Sequence, residues 1–157
     1  MKFAVSYFYQ IRFFKPNMIP ISTAVSDPKW YHQNRGPQYT YFDKNNVING
    51  LRCEYFTPGQ VCQGLCYGPE TCAEKGPENC VFLKAYRSQL ELTVDLPQFL
   101  ERCERAAQYV KDTVGYEDEP VIVLIVHEAT DNPCSERGAL IDYMTSHGFE
   151  CQEWERE

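Results

Sequence analysis

Val121-Ile-Val-Leu-Ile-Val126 is an unbroken run of β-branched and aliphatic residues, followed by His127-Glu128 and then by Asp131-Asn-Pro-Cys-Ser-Glu-Arg137. A strand with no polar alternation is buried on both faces, the mark of a parallel sheet covered by helices. A carboxylate, a turn of Asp, Asn and Pro, and a thiol come directly after it. Ser135 to His147 is compatible with a helix that stops at Gly148. In such sheets ligands lie beyond the carboxyl ends of the strands, beside the N-termini of the following helices. Glu128, Cys134, Ser135, Glu136 and Arg137 are therefore the first candidates to face a ligand.

Working outward, Lys2 to Phe8 alternates and is rich in aromatic and β-branched types, which predicts a first strand. Asn17 to Thr23 predicts a second, with Pro20 pointing to an edge position or a short strand. Asp27-Pro28 reads as an N-cap followed by proline at the first helical position, opening a short helix at Lys29-Trp30-Tyr31-His32. Val47 to Phe56 predicts another strand interrupted at Asn49-Gly50. Cys80 to Leu92 carries Phe82, Leu83, Tyr86 and Leu90 on one helical face. Asp95 caps a second helix that runs to about Val114, with Phe99, Leu100, Cys103, Ala107 and Val110 as its apolar stripe and Gly115 as its stop. Phe149 to Trp154 closes the chain as a strand. The order β, β, cysteine-rich segment, α, α, β, α, β predicts an α/β fold with a Rossmann-like, mostly parallel sheet flanked by helices. At 157 residues the chain reads as one domain, 1–157, with a cysteine-rich insertion over 53–80.

The formal charge of −7 disfavours extended nucleic acid and anionic membranes as partners, while a local positive pocket for a small phosphate-bearing ligand is compatible with it. No apolar run approaches the roughly 20 residues of a membrane span. The start, Met1 to Phe8, does not read as an export signal, so the expected compartment is the cytoplasm, where thiols stay reduced. Oligomeric state is left open.

The eight cysteines then need a role other than disulfides. Cys62, Cys66, Cys72 and Cys80 fall within nineteen residues that are poor in apolar types. Four thiolates around zinc supply the free energy of ordering such a segment. An iron–sulfur cluster uses the same donors, and disulfides or unrelated loop thiols are the plain alternative. Cys53 is a substitute ligand, while Cys103 and Cys151 lie on apolar stripes and read as core.

Cys134 has two readings. It is a nucleophile activated by a helix N-terminus and Arg137, or a small turn residue beside backbone amides that capture an anion. Glu128 either binds ribose hydroxyls, acts as base or nucleophile, or caps its loop. Ser6, Tyr7 and Ser22 end the first two strands, and Trp30 and Tyr31 offer flat faces for a base, or pack as core. The leading expectation is binding or processing of a nucleotide-like phosphate ligand. The alternatives are an enzyme with Glu128 or Cys134 as covalent nucleophile and a metal-stabilised interaction module.

Taken together, Glu128 and Cys134 at six-residue spacing, a helix ending at His147-Gly148, and Glu150-Cys-Gln-Glu-Trp154 resemble the DUF488 family of small bacterial and phage proteins. Ser6-Tyr7-Phe8, Ile19-Pro-Ile-Ser22 and Pro28-Lys-Trp-Tyr31 add to the resemblance. Cys134-Ser-Glu-Arg137 departs from the family's Cys-His-Arg, and the cysteine-rich middle departs from its commoner members. The resemblance implies a Rossmann-like fold and a strand-end site. For a phage-encoded member it implies roles in nucleotide metabolism or host nucleotide signalling, inside the bacterial cytoplasm.

Overall fold

The structure, a computed structural model, describes residues 1–65, 76–127 and 135–156. Its centre is a four-stranded sheet of β1 (Lys2–Tyr7), β2 (Met18–Ser22), β5 (Val121–Val126) and β6 (Cys151–Glu153), in the order β2-β5-β1-β6. Every pairing in it is parallel, with Lys2 opposite Val121, Met18 opposite Val121 and Phe3 opposite Cys151. The fold class is thus the expected α/β arrangement. β5 lies between two neighbours, which is why its six residues carry no polar alternation. Pro20 sits in β2, at the edge of the sheet, where a missing N–H costs least.

The two faces of the sheet are covered differently. Phe3, Val5, Ile19, Ile21, Ile122 and Leu124 point to one face and pack against α2 (Val81–Thr93), α3 (Leu96–Val114) and α4 (Arg137–Ser146). The predicted stripe of α3 is the buried one, with Phe99, Cys103, Ala107 and Val110 inside. Asp95 accepts a hydrogen bond from the Gln98 amide, 3.1 Å away, and Gly115 ends the helix at φ +69°. Ala4, Met18, Val123 and Ile125 face the other way, onto a 3-10 helix at Phe8–Phe13 and the segments bearing Ala24, Tyr31 and Val47. That second layer is built from short turns rather than α-helices.

Several local expectations are corrected. Lys29–His32 is a 3-10 helix whose N-cap is Pro28, not Asp27, because the Asp27 carboxylate is drawn into a buried network instead. Val47 to Phe56 is not one strand. β4 (Ile48–Asn49) pairs with β3 (Tyr41–Phe42), and Glu54–Phe56 is a 3-10 turn. Gly50 breaks the run at φ +104°, where an added Cβ would stand 2.2 Å from the Tyr39 carbonyl oxygen. Near the cysteines, α1 (Gln60–Gly64) buries Cys62 in a small cluster with Phe82 and Leu83. No helix is long and apolar enough to cross a membrane among the described residues.

Candidate functional site at the carboxyl edge of the sheet

Because the strands are parallel, Tyr7, Ser22, Val126 and Glu153 all end at one edge of the sheet. On its β2 side lies a charged network that the sequence did not announce. The Asp27 side chain is 3% exposed and holds two hydrogen-bond contacts and one ion pair. Ser22 Oγ donates to Oδ1 at 2.5 Å, His32 Nε2 stands 2.6 Å from Oδ2, and Arg52 Nη1 pairs with Oδ1 at 2.6 Å. The other ring nitrogen of His32 stands 3.0 Å from the Tyr39 carbonyl oxygen. Both ring nitrogens thus stand within hydrogen-bond reach of oxygen atoms, which holds the ring between Asp27 and Tyr39. Arg52 also donates to the Ala24 carbonyl at 2.8 Å, which pins the guanidinium in place.

Arg52 reaches this position through backbone pairing. Ser22 and Arg52 form a β-bridge, with Ser22 N–H donating to Leu51 at 2.8 Å and Cys53 N–H donating back to Ser22 at 3.0 Å. The segment after β4 thus continues the sheet beyond its edge strand for a single rung. Above the network opens a cavity of about 700 Å³ lined by Ser26, Asp27, Lys29, His32, Asn34 and Arg52, among others. One carboxylate there shares the lining with a guanidinium and an ammonium. The excess of local charge is positive in a chain whose total is −7. A second cavity of about 150 Å³ adjoins it through Val25 and Ser26 and reaches Thr23, Val126, His127 and Glu136. His127 is exposed and presents its ring edge to Phe8, with centroids 6.2 Å apart.

The β1–β6 side of the edge is a different cluster. Arg137 Nε donates to Glu153 Oε1 at 3.1 Å, and the guanidinium lies 5.9 Å from the centroid of the Tyr7 ring. Gln10 donates to the Tyr7 hydroxyl at 2.7 Å. Burial raises the Glu153 carboxyl above its ordinary range, against the opposing pull of Arg137. The Arg137 amide points to Ser135 Oγ at 3.4 Å, and Ser135 itself is buried. These contacts direct Ser135 and Arg137 toward protein groups, and of residues 135–137 only Glu136 lines either strand-end cavity described above.

The remaining candidates separate. Tyr31 does not offer a stacking face. It is fully enclosed, its hydroxyl donates to Leu51 O at 2.7 Å, and burial lifts its phenol well above the ordinary range. Trp30 is 42% exposed but lines a different cavity, on the other flank of the 3-10 helix. Ser22 is buried as a donor to Asp27, and Ser6 is buried with no partner for its hydroxyl among the described residues. Glu128, Cys134, Cys66 and Cys72 lie outside the described residues. Cys62 and Cys80 share one small apolar cluster, and the Cys62 thiol lies 3.4 Å from Gln89 Oε1. Among the described residues, no three His, Cys, Asp or Glu side chains gather as a metal requires. Cys103 and Cys151 are core residues, as their stripes predicted.

Sequence reasoning pointed to the carboxyl edge of the sheet, the edge on which this cavity opens, without naming Asp27, His32, Lys29 or Arg52 as site residues. The signal for Asp27 was misread, since an Asp-Pro pair before a short helix looks like a cap. Arg52 carried no local signal at all, because its role arises from pairing across thirty residues.

The fold and its polar edge define a parallel α/β protein with a ligand-sized, positively biased cavity where the strands end. No family model, curated protein or solved structure matches the chain.

Proposed function

We propose that this protein binds a small phosphate-bearing, nucleotide-like ligand in the cavity beside Asp27, His32 and Arg52. The observation that carries the reading is a guanidinium held in place by a buried carboxylate at the wall of a cavity of about 700 Å³. That volume is within the range of small-molecule sites, about 300–1,000 Å³. Asp27 and the Ala24 carbonyl fix Arg52, so little side-chain entropy is lost when an anion arrives. Lys29 adds a mobile ammonium, and Ser26 and Asn34 add hydrogen-bonding groups for a sugar or a second phosphate. The position agrees with the rule for open parallel sheets. In this reading Arg52 and Lys29 hold the anion, and Arg137 stays in its ion pair with Glu153.

A nucleotide panel read by thermal stability tests the proposal, followed by calorimetry on Lys29→Ala and Arg52→Lys. A ligand at 100 times its dissociation constant should stabilise by ~2.7 kcal/mol. Each substitution should weaken binding by roughly tenfold, the loss expected for one charge-assisted contact. A panel with no stabilising member, or one whose effect survives both substitutions, contradicts it.

A structural zinc held by Cys62, Cys66, Cys72 and Cys80 is a separate proposal. It is supported by the meeting of Cys62 and Cys80, the two ends of the motif, in one cluster. Elemental analysis of protein purified without chelator should find close to one zinc per chain, and a metal-free folded chain contradicts it.

A further inference from the structure

The aromatic cavity on the far flank of the Lys29–His32 helix has a volume of about 530 Å³, and Phe8, Trp30, Tyr41, Phe42 and Asn49 are among its walls. Asn49 is 1% exposed. Its amide nitrogen donates to Asp43 Oδ2 at 3.2 Å and to the Val47 carbonyl at 3.1 Å. Both partners are acceptors, so they fix which end of the amide is nitrogen. The carbonyl oxygen then points away from them, and it accepts no hydrogen bond among the described residues. Asp43 is itself held in place by accepting from the Asn45 and Val47 amides at 2.8 and 3.1 Å. Tyr41 donates its hydroxyl to the Trp30 backbone carbonyl at 2.7 Å, which ties the β3–β4 hairpin to the 3-10 helix that carries Trp30. Asn49 lines the cavity, so its unpaired carbonyl oxygen is an acceptor at the cavity wall, beside aromatic surface that favours a flat ring over water.

We infer that this cavity binds a planar nitrogen heterocycle bearing an exocyclic amine, with the ring against Trp30 and the amine donating to the Asn49 carbonyl oxygen. The chemistry follows from the walls. Indole and phenol rings supply flat contact of a kind every heterocycle can use. A lone carbonyl acceptor distinguishes rings with an N–H donor from rings without one. The inference is independent of the phosphate reading, since a ligand with no phosphate satisfies every group named here.

The test uses adenosine and purine riboside, which differ by the exocyclic amine alone, so both ligands are compared on one and the same protein. The chain has two tryptophans, Trp30 and Trp154, so Trp154→Phe leaves Trp30 as the sole indole reporter. Adenosine should quench its fluorescence saturably, with purine riboside binding about tenfold more weakly for one missing hydrogen bond. In Trp30→Leu, a change at a half-exposed position, calorimetry should show adenosine affinity falling at least several-fold while circular dichroism stays that of the parent. Equal affinity for the two nucleosides overturns the inference. So does the absence of saturable quenching up to millimolar adenosine, or undiminished binding in a folded Trp30→Leu protein.

Discussion

Replacing Asp27 separates its electrostatic role from its space-filling one. In Asp27→Ala two hydrogen-bond contacts and an ion pair at 2.5–2.6 Å disappear, and Arg52 loses its buried counter-charge. Removing one partner of a buried pair costs about 3–5 kcal/mol, because the other is left uncompensated. Asp27 and Arg52 are 3% and 26% exposed, so solvent screening reduces this little, and a loss near the lower end, ~3 kcal/mol, is expected. Asp27→Asn differs in kind. Its amide oxygen still accepts from Ser22 and Arg52, and its NH2 can donate to His32 Nε2 if the ring keeps its hydrogen on Nδ1, toward Tyr39. That rearrangement satisfies every group and forfeits only the charge, so its cost is about half as large, ~1.5 kcal/mol. Urea unfolding monitored by circular dichroism gives both numbers. At this chain length they correspond to midpoint shifts of roughly 6–12 °C and 3–6 °C. Alanine and asparagine variants of equal stability, or an alanine variant within 0.5 kcal/mol or so of the parent, would refute the network as a structural unit.

Other outcomes follow from the same structure. Gly50→Ala must place a Cβ 2.2 Å from the Tyr39 carbonyl at a left-handed φ, so the β3–β4 hairpin should shift and stability fall by about 2 kcal/mol or more in thermal unfolding. An unchanged melting curve would show that the turn relaxes freely. Burial pushes the Cys53 thiol up to about 11 and the Cys151 thiol to about 12, and raises Cys103 too. All three should resist iodoacetamide at pH 8 until denaturant is added, as read by mass spectrometry, and rapid labelling of the native chain would contradict their placement. Glu153 has a raised carboxyl, so the folded state binds more protons than the unfolded state above the ordinary value of 4.5. Its contribution to stability is therefore present at low pH and is lost as pH rises from 4.5 through the elevated value. Glu153→Gln should flatten that part of the stability–pH curve, and an identical slope in both proteins would count against the assignment.

How far the sequence disclosed these features depended on whether the cause was local. β5 was legible because a strand between two neighbours, with both faces covered, can hold nothing polar. The stripe, cap and glycine stop of α3 were legible because each acts within one or two turns. The second layer was not, since 3-10 turns at Phe8–Phe13 and Lys29–His32 have no long period to read. Tyr31 illustrates the limit at the site. Beside Trp30 in sequence it looks like a second stacking ring, yet one faces a cavity while the other is wedged under β2 with its hydroxyl on Leu51 and Pro20. Arg52 and Asp27 meet across an intervening hairpin, and nothing in the twenty-four residues between them encodes that meeting. The strand-end rule located the edge, and long-range packing chose which charged groups stand there.

The most direct measurement is amide and side-chain NMR of labelled protein titrated with a nucleoside diphosphate. The account predicts saturable shifts of the Arg52 guanidinium, the Lys29 amide and Ser26, with the Arg137 guanidinium little changed. Shifts centred on Arg137 with Arg52 unmoved, or no saturable shift anywhere at millimolar ligand, would contradict a phosphate site beside Asp27.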